Sequence, residues 1–403
     1  AGIRTTLAYP TPIQTAKDFN RILKSRLFNN AIKEYGEEEL FRILKKDSEQ
    51  RGSPVNYVLE NLNSKREKDN KVEYEYLSGI YSDGLPWNGA YAKVNINNPE
   101  HKWVFRTLSS NNETKKVTKL ANEFNKATGN NVMIAWNGGY ILNPELVGKL
   151  GLPESYIGSP LGLLISDKKI VSPPLYNKAA LLIYDSGKLD IKKVNSNNGI
   201  SVSQGKTKVN FTGENYNLEN PGSEPCYYDL MFKKEEIIAK NRIIVRLAGN
   251  VIKDIIKDTE KVKIIPVGMT LSFPESKFST DFDELEAEVD LKVKGIKDIL
   301  HAVEAGPLLV DNGAVAINMK DEGWATMNSI HTQAARLDYT DMRGPKIAAG
   351  LDKNGNLLVL TVNGRIRESV GATHVDMAEI MVKLGAEKAM GFDPGGSSTL
   401  VVN

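Results

Sequence analysis

The chain has 403 residues, enough for two or three domains or for one large domain with an appendage. Its 52 Lys+Arg against 50 Asp+Glu leave a net charge of +2, which excludes the strongly cationic surface that tracks a nucleic-acid backbone. No run approaches the ~20 apolar residues of a membrane-spanning helix, and the single cysteine, Cys226, excludes an internal disulfide framework and a cysteine-based zinc cage.

That cysteine usage suits a cytosolic protein and equally one exported without disulfides. The first residues, Ala1-Gly2-Ile3, carry no initiator Met, as expected of a processed or engineered start, and no signal-peptide pattern follows them. Residues 15–46 place Phe19, Ile22, Leu23, Leu27 and Ile32 at helical spacing, and Leu40, Ile43 and Leu44 continue the pattern after Gly36. This predicts two amphipathic helices joined near Gly36, with a short third at 57–62. The following NSKREKDNKVE reads as a polar linker or a solvated helix end. Residues 1–74 are therefore expected to form a helical segment that caps the fold or docks a partner.

From about residue 75 the texture turns β-rich. LLISDKKIVSPP and AALLIYDSGKLDIKKV each read strand, charged turn, strand, the second turning at Asp185-Ser186-Gly187. Helices interrupt at TKKVTKLANEFNKATG and at VDMAEIMVKLGAE, where Met377, Ile380, Met381 and Leu384 share a face and Gly385 ends the helix. The Asn/Gly/Ser-rich residues 195–225 suggest long loops around short strands. KIAAGLDKNGNLLVLTVNGR holds Asn354-Gly355, a strong hairpin signal, between two strands. Residues 389–392 and 400–402 read as a last pair of buried strands, a hairpin around residues 393–399. The expected class is α+β, a mixed, mostly antiparallel sheet core with inserted helices, preceded by the N-terminal helical segment.

Four loops combine glycine with polar groups directly beside an apolar strand. Asn137-Gly138-Gly139 follows the apolar 132–136, and its glycines permit close backbone approach or positive φ. Gly306-Pro307 bends the chain before Leu308-Leu309-Val310, with Glu304 just ahead as a candidate acid. Residues 331–346 gather His331, Arg336, Asp338, Asp341, Arg343 and Lys346, and Arg365 follows a second Asn-Gly. Guanidinium and ammonium groups at a strand end can clamp a phosphate, although a charged surface loop has the same composition. Last comes DPGGSST, Asp393 to Thr399, which is neither a phosphate-binding G-x-x-x-x-G-K loop nor a G-x-S-x-G elbow. Its carboxylate, amides and hydroxyls suit an anionic or polyhydroxyl ligand, with the carboxylate as base or nucleophile.

Taken in order, these loops resemble the phosphodiester glycosidase family. The matching residues are Asn137-Gly138-Gly139-Tyr140, Gly306 to Val310, Arg343 to Gly350, Val362-Asn363-Gly364-Arg365, and Leu384-Gly385-Ala386 leading into Asp393 to Thr399. The likeness spans roughly residues 75–403, the expected catalytic domain, and leaves out residues 1–74. It departs from the family pattern at Lys346 and Ile347, which stand for Arg and Thr, at Asn363 for an acidic residue, and at Pro394 for a glycine. Lys keeps the charge without the bidentate fork, and Pro removes one amide.

The resemblance implies hydrolysis of a sugar-1-phosphodiester, such as one carrying an N-acetylhexosamine, on a glycan or cell-envelope polymer. In that reading Asp393 acts as nucleophile or base, or holds the sugar hydroxyls, while Glu304 and His331 carry protons, with Asp338 and Asp341 as alternatives. Arg343, Lys346 and Arg365 hold the phosphate. Asn137, Gly138, Gly139, Gly395, Gly396 and Ser397 contact substrate, and Ser398 and Thr399 brace the loop. No cofactor is required, although the acidic and Asn side chains are compatible with a divalent metal such as calcium. The expected partner is a glycan or sugar-phosphodiester, with no nucleic acid and no membrane span, and the N-terminal helices are available for a homo-oligomer or particle contact. The setting expected is extracellular, cell-envelope or phage-particle rather than cytoplasmic. Two competing readings are a non-catalytic glycan- or phosphopolymer-binding module and a hydrolase of another phosphodiester polymer.

Overall fold

The computed structural model describes residues 72–81, 83–97, 102–109, 114–265, 268–324 and 342–402, with residues 38 and 39 and the backbone of 63–67. The helices expected over 15–46 and 57–62 lie outside those residues, apart from the helical 38 and 39. The described residues form antiparallel sheets with three α-helices, Val117–Thr128, Pro144–Lys149 and His374–Lys383.

The largest sheet has eight strands in the order Asn63–Glu67, Glu73–Ile80, Pro86–Val94, Leu357–Val362, Lys346–Asp352, Ala386–Gly391, Leu308–Asp311, Ala314–Val315. Its central strands read KIAAGLD and LLVLTV without polar alternation, which is the pattern of strands covered on both faces. The period of two then sorts the side chains. Ile347, Ala349, Leu357 and Val359 face Leu181 and Ile183 of a second sheet, whereas Ala348, Leu358, Leu360 and Val362 face Met377, Ile380 and Met381 of the helix His374–Lys383. That helix begins with a capping box, Thr373 accepting from the Asp376 amide and Asp376 from the Thr373 amide.

The second sheet has five strands in the order Lys169–Ser172, Leu164–Ser166, Ile299–Glu304, Ala179–Tyr184, Leu189–Lys193. AALLIY is likewise buried on both sides. Ala179, Leu181 and Ile183 meet the eight-stranded sheet, and Ala180 and Leu182 meet Val245, Leu271 and Phe273 of a four-stranded sheet beyond it. The layers are thus helix, large sheet, five-stranded sheet, and an outer layer of smaller sheets. Every strand ladder is antiparallel, which narrows the expected mixed sheet to an antiparallel one.

Two local readings change, and a third is made specific. Asn63–Glu67, expected within a linker, is an edge strand paired with Glu73–Ile80, because alternate charged residues suit an edge as well as a loop. The short strands expected within residues 195–225 are Gly199–Gln204 and Thr207–Thr212, which pair as a hairpin. The expected last hairpin is split. Ala386–Gly391 lies in the large sheet, and Leu400–Val402 pairs instead with Ile134–Trp136. The 393–399 loop therefore crosses between two sheets rather than turning within one.

Leu360 is fully buried in the layer under the helix, while Ile80 is 43% exposed. Leu360→Ala should cost about 2–5 kcal/mol in urea unfolding, and Ile80→Ala should stay within about 0.5 kcal/mol of the parent.

Candidate active site

The five-stranded sheet ends at Glu304, whose carboxyl is buried and accepts amide hydrogens from Leu163 at 2.8 Å and Leu175 at 3.3 Å through Oε2. Gly162 is what lets the carboxyl enter. A Cβ built there would lie 1.8 Å from Oε2, and the residue's φ of +154° also favours glycine. Gly139 fits over the same strand end, since its Cβ would lie 2.1 Å from the Glu304 carbonyl oxygen. The Asn-Gly-Gly segment is thus not a hairpin turn. It is a close approach of backbone onto the last residues of a core strand.

The DPGGSST loop is hung on that segment. The Asp393 amide donates to Gly138 O at 3.1 Å, and Asn137 Nδ2 donates to Asp393 O at 2.9 Å. Asn137 Oδ1 accepts from the Thr399 amide at 2.9 Å, so one side-chain amide clamps both ends of the loop. The Gly395 amide donates to Pro345 O at 2.9 Å and the Ser398 amide to Gly395 O at 3.1 Å. The amides of Asp393, Gly395, Ser398 and Thr399 are therefore spent inside the protein. The amide lost to Pro394 sits among neighbours that brace rather than bind.

A cavity of about 1530 Å³ opens here, lined by Asn137, Gly138, Gly139, Glu304, Asp393, Ser397 and Thr399 among others. Asp393 is half-buried and Ser397 hydrogen-bonds its carboxylate. Burial raises the Asp393 carboxyl to about 7, against the pull of Ser397 and of the Lys178 charge. Burial also pushes Glu304 up, opposed first by Lys178 and then by the two amides. Glu304 Oε1 has no hydrogen-bond partner among the described residues.

The basic residues divide. Arg343 is buried, its Nη1 2.7 Å from Asp83 Oδ2 and its guanidinium 4.1 Å from the centre of the Tyr81 ring. Lys346 is buried too and donates to Met342 O at 3.0 Å. Burial, and after it the Arg365 charge, lower it to about 7, with Asp376 opposing both. Arg365 is exposed at φ +58° and lies against the loop. A Cβ on Gly395 would be 3.8 Å from its guanidinium nitrogens, and one on Gly344 would be 3.7 Å from its Nε. None of the three lines the cavity, nor do Gly395, Gly396 or Ser398. His331, Asp338 and Asp341 lie outside the described residues.

Two charged residues near this site were not signalled by motif. Lys178 is fully buried, with Nζ 4.6 Å from the ring centres of both Tyr140 and Trp324. Glu322 is fully buried and accepts from the amides of Ala179 at 3.2 Å and Leu308 at 3.0 Å. In the sequence each is one charge beside a turn, the ordinary composition of a surface loop. Among the described residues no group of three or more His, Cys, Asp or Glu is arranged to hold a metal.

Residues 237–403 match the phosphodiester glycosidase family. The match takes in Glu304, Lys346, Arg365 and the 393–399 loop, and it begins after Asn137-Gly138-Gly139. No curated protein matches the chain. Among solved structures, a hypothetical protein from Synechocystis is 15% identical with a TM-score of 0.50, over 84% of this chain and 59% of its own, which shows a shared fold. The chain thus spans about three fifths of that relative's length. The catalytic domain of zebrafish N-acetylglucosamine-1-phosphodiester alpha-N-acetylglucosaminidase, auto-inhibited by its pro-peptide, is 14% identical with a TM-score of 0.43, over 85% of this chain and 78% of its own.

The two arginines should separate in unfolding experiments. Arg343→Met removes the guanidinium beside the buried Asp83 and should cost about 3–5 kcal/mol in urea unfolding, whereas Arg365→Met should change stability by less than about 0.5 kcal/mol.

Proposed function

We propose that the protein hydrolyses a sugar-1-phosphodiester at the glycosidic C–O bond, releasing the sugar and leaving a phosphomonoester. The observation that carries this reading is that two acidic residues, Asp393 and Glu304, line one cavity on either side of Gly138-Gly139, with the exposed guanidinium of Arg365 against the loop that bears Asp393. The family match over residues 237–403 supports it.

The departing phosphomonoester is already a good leaving group, so the demand for a general acid is smaller than in an ordinary glycoside. Asp393 acts on the anomeric side, as the nucleophile or as the base for water. Glu304, kept protonated more readily by burial, is the proton carrier, and its Oε1, without a hydrogen-bond partner among the described residues, belongs to a cavity-lining residue. Arg365 takes the phosphate and offsets the charge that grows on it, with Lys346 behind it. Asn137, Ser398 and Thr399 hold the loop, and Ser397 orients the Asp393 carboxylate. Arg343, held by Asp83 and Tyr81 and absent from the cavity lining, is given a structural role rather than a contact with substrate. The substrate class, a sugar phosphodiester on a glycan or envelope polymer, places the work at the cell envelope or outside the cell.

Release of free sugar from a panel of sugar-1-phosphodiesters and nucleotide diphosphosugars tests the reading. Saturable glycan binding with no release at high protein concentration would leave a binding module instead. Arg365→Met should lose about 2.7–4 kcal/mol of transition-state stabilisation, a drop of about 10²–10³ in kcat/KM. The profile of kcat/KM should rise with pH through about 7 as Asp393 gives up its proton, because only the carboxylate serves as base or nucleophile. Asp393→Asn should abolish that limb together with the activity.

A further inference from the structure

We propose that Lys178 is the positioning cation of this site, an ammonium walled in by aromatic rings around which the carboxyls of Asp393, Glu304 and Glu322 are arranged. The assignment deepens the hydrolytic reading above and rests on it for the role of Asp393.

The geometry starts at the strand opening on Ala179. Ala179 O accepts from the Ala305 amide at 3.1 Å, so Lys178 lies beside the Glu304–Gly306 bend. A Cβ on Gly306 would sit 3.4 Å from Lys178 Cβ and 2.7 Å from Glu322 Oε1, which places lysine and glutamate on the same side of that bend. The stem of Lys178 is fully buried, and its Nζ is 4.6 Å from Tyr140, 4.6 Å from Trp324 and 5.5 Å from Tyr176, measured to ring centres. Tyr140 directly follows the Gly139 that lies on Glu304, so the same segment supplies a wall of the box and the seat of the Asp393 loop.

A buried ammonium is costly unless it is compensated. Here the ring faces and the three carboxyls both contribute compensation. Burial lowers the Lys178 ammonium, while Glu304, Glu322 and Asp393 in that order pull it back up. Other charges reach the cluster from outside the box. Asp229 acts on Glu304 and Tyr176, and Lys193 acts on Glu322. Lys178 is nonetheless the positive charge common to all three carboxyls, since it pulls each of them toward the anion. Without it, burial alone would hold Asp393 protonated over more of the neutral range, and the nucleophile or base would be lost. Lys178 is absent from the cavity lining, so it acts through Asp393 and Glu304 rather than on substrate.

The test is a carbon-13 NMR titration of the Asp393 carboxyl in the full chain without substrate, assigned by difference with Asp393→Asn. In Lys178→Met the midpoint should move up by about one unit, and in Lys178→Arg it should return toward the parent. The acidic limb of kcat/KM should move in the same way. An Asp393 midpoint unchanged in a folded Lys178→Met protein overturns the assignment. If Lys178→Met does not fold, the same coupling is read from the other end. Asp393→Asn should lower the titration of the Lys178 side-chain Cε resonance, and no shift there overturns it equally. Neither titration needs turnover, so a protein that releases no sugar defeats the hydrolytic reading while the Lys178 coupling is still decided.

Discussion

A carboxyl group that leaves water must be met by donors, and the placing of Glu304 under that rule organises the rest of the site. Its Oε2 takes two backbone amides, from Leu163 and Leu175, both more than a hundred positions earlier in the chain. The space it needs exists only because residue 162 has no side chain, and the chain that covers it approaches only because residue 139 has none. The covering segment then offers Gly138 O and the Asn137 side chain, and these two hold the 393–399 loop at both ends. Each step supplies the support for the next, so the two acids come to line one cavity as a consequence of one buried group being satisfied.

The same economy explains why the basic residues of one stretch do different things. Arg343 and Lys346 are three residues apart, yet both are drawn inward, Arg343 to Asp83 and Tyr81 and Lys346 to Met342 O. Arg365 remains outside because its turn is pinned by Asn363, whose amide donates to Asn88 O at 2.9 Å and whose Nδ2 donates to Asn88 Oδ1 at 2.6 Å. The exposed guanidinium is therefore carried on a rigid turn rather than a free loop, which lowers the entropy lost when it holds an anion. Asn363 replaces an acidic residue of the family pattern, and in this position it serves the turn.

The large cavity and the layered sheets share a cause. Stacking an eight-stranded sheet on a five-stranded one buries Ile347, Val359, Leu181 and Ile183 between them, and the short Ile134–Trp136 and Leu400–Val402 pair closes one edge. Trp136 and Phe392 meet edge to face at 6.1 Å there, next to Asp393. The site thus lies where core strands run out, with apolar packing on one side and polar loops on the other. That boundary is what burial of Asp393 and Glu304 reflects, and it is where a charged ligand meets groups already stripped of water.

Much of the framework was legible in the residues alone. Unbroken apolar runs such as AALLIY and LLVLTV, the Asn354-Gly355 turn and the helix ending at Gly385 all report local conformation and burial, which short-range sterics and period-two patterning dictate. The ordered glycine motifs also marked Asn137, Glu304, Arg365 and Asp393. What the residues could not reveal was partnership. Whether Leu400–Val402 pairs with the strand before it or with Ile134–Trp136 depends on which edge is free, a property of the whole sheet. Whether Arg343 is free to meet a phosphate depends on a buried Asp83 260 positions before it in the chain, and whether Lys178 is a surface charge or the centre of an aromatic box depends on Tyr140, Tyr176 and Trp324 converging. Local pattern determines what a segment can form, and desolvation by distant segments determines which of its charges remain available for chemistry.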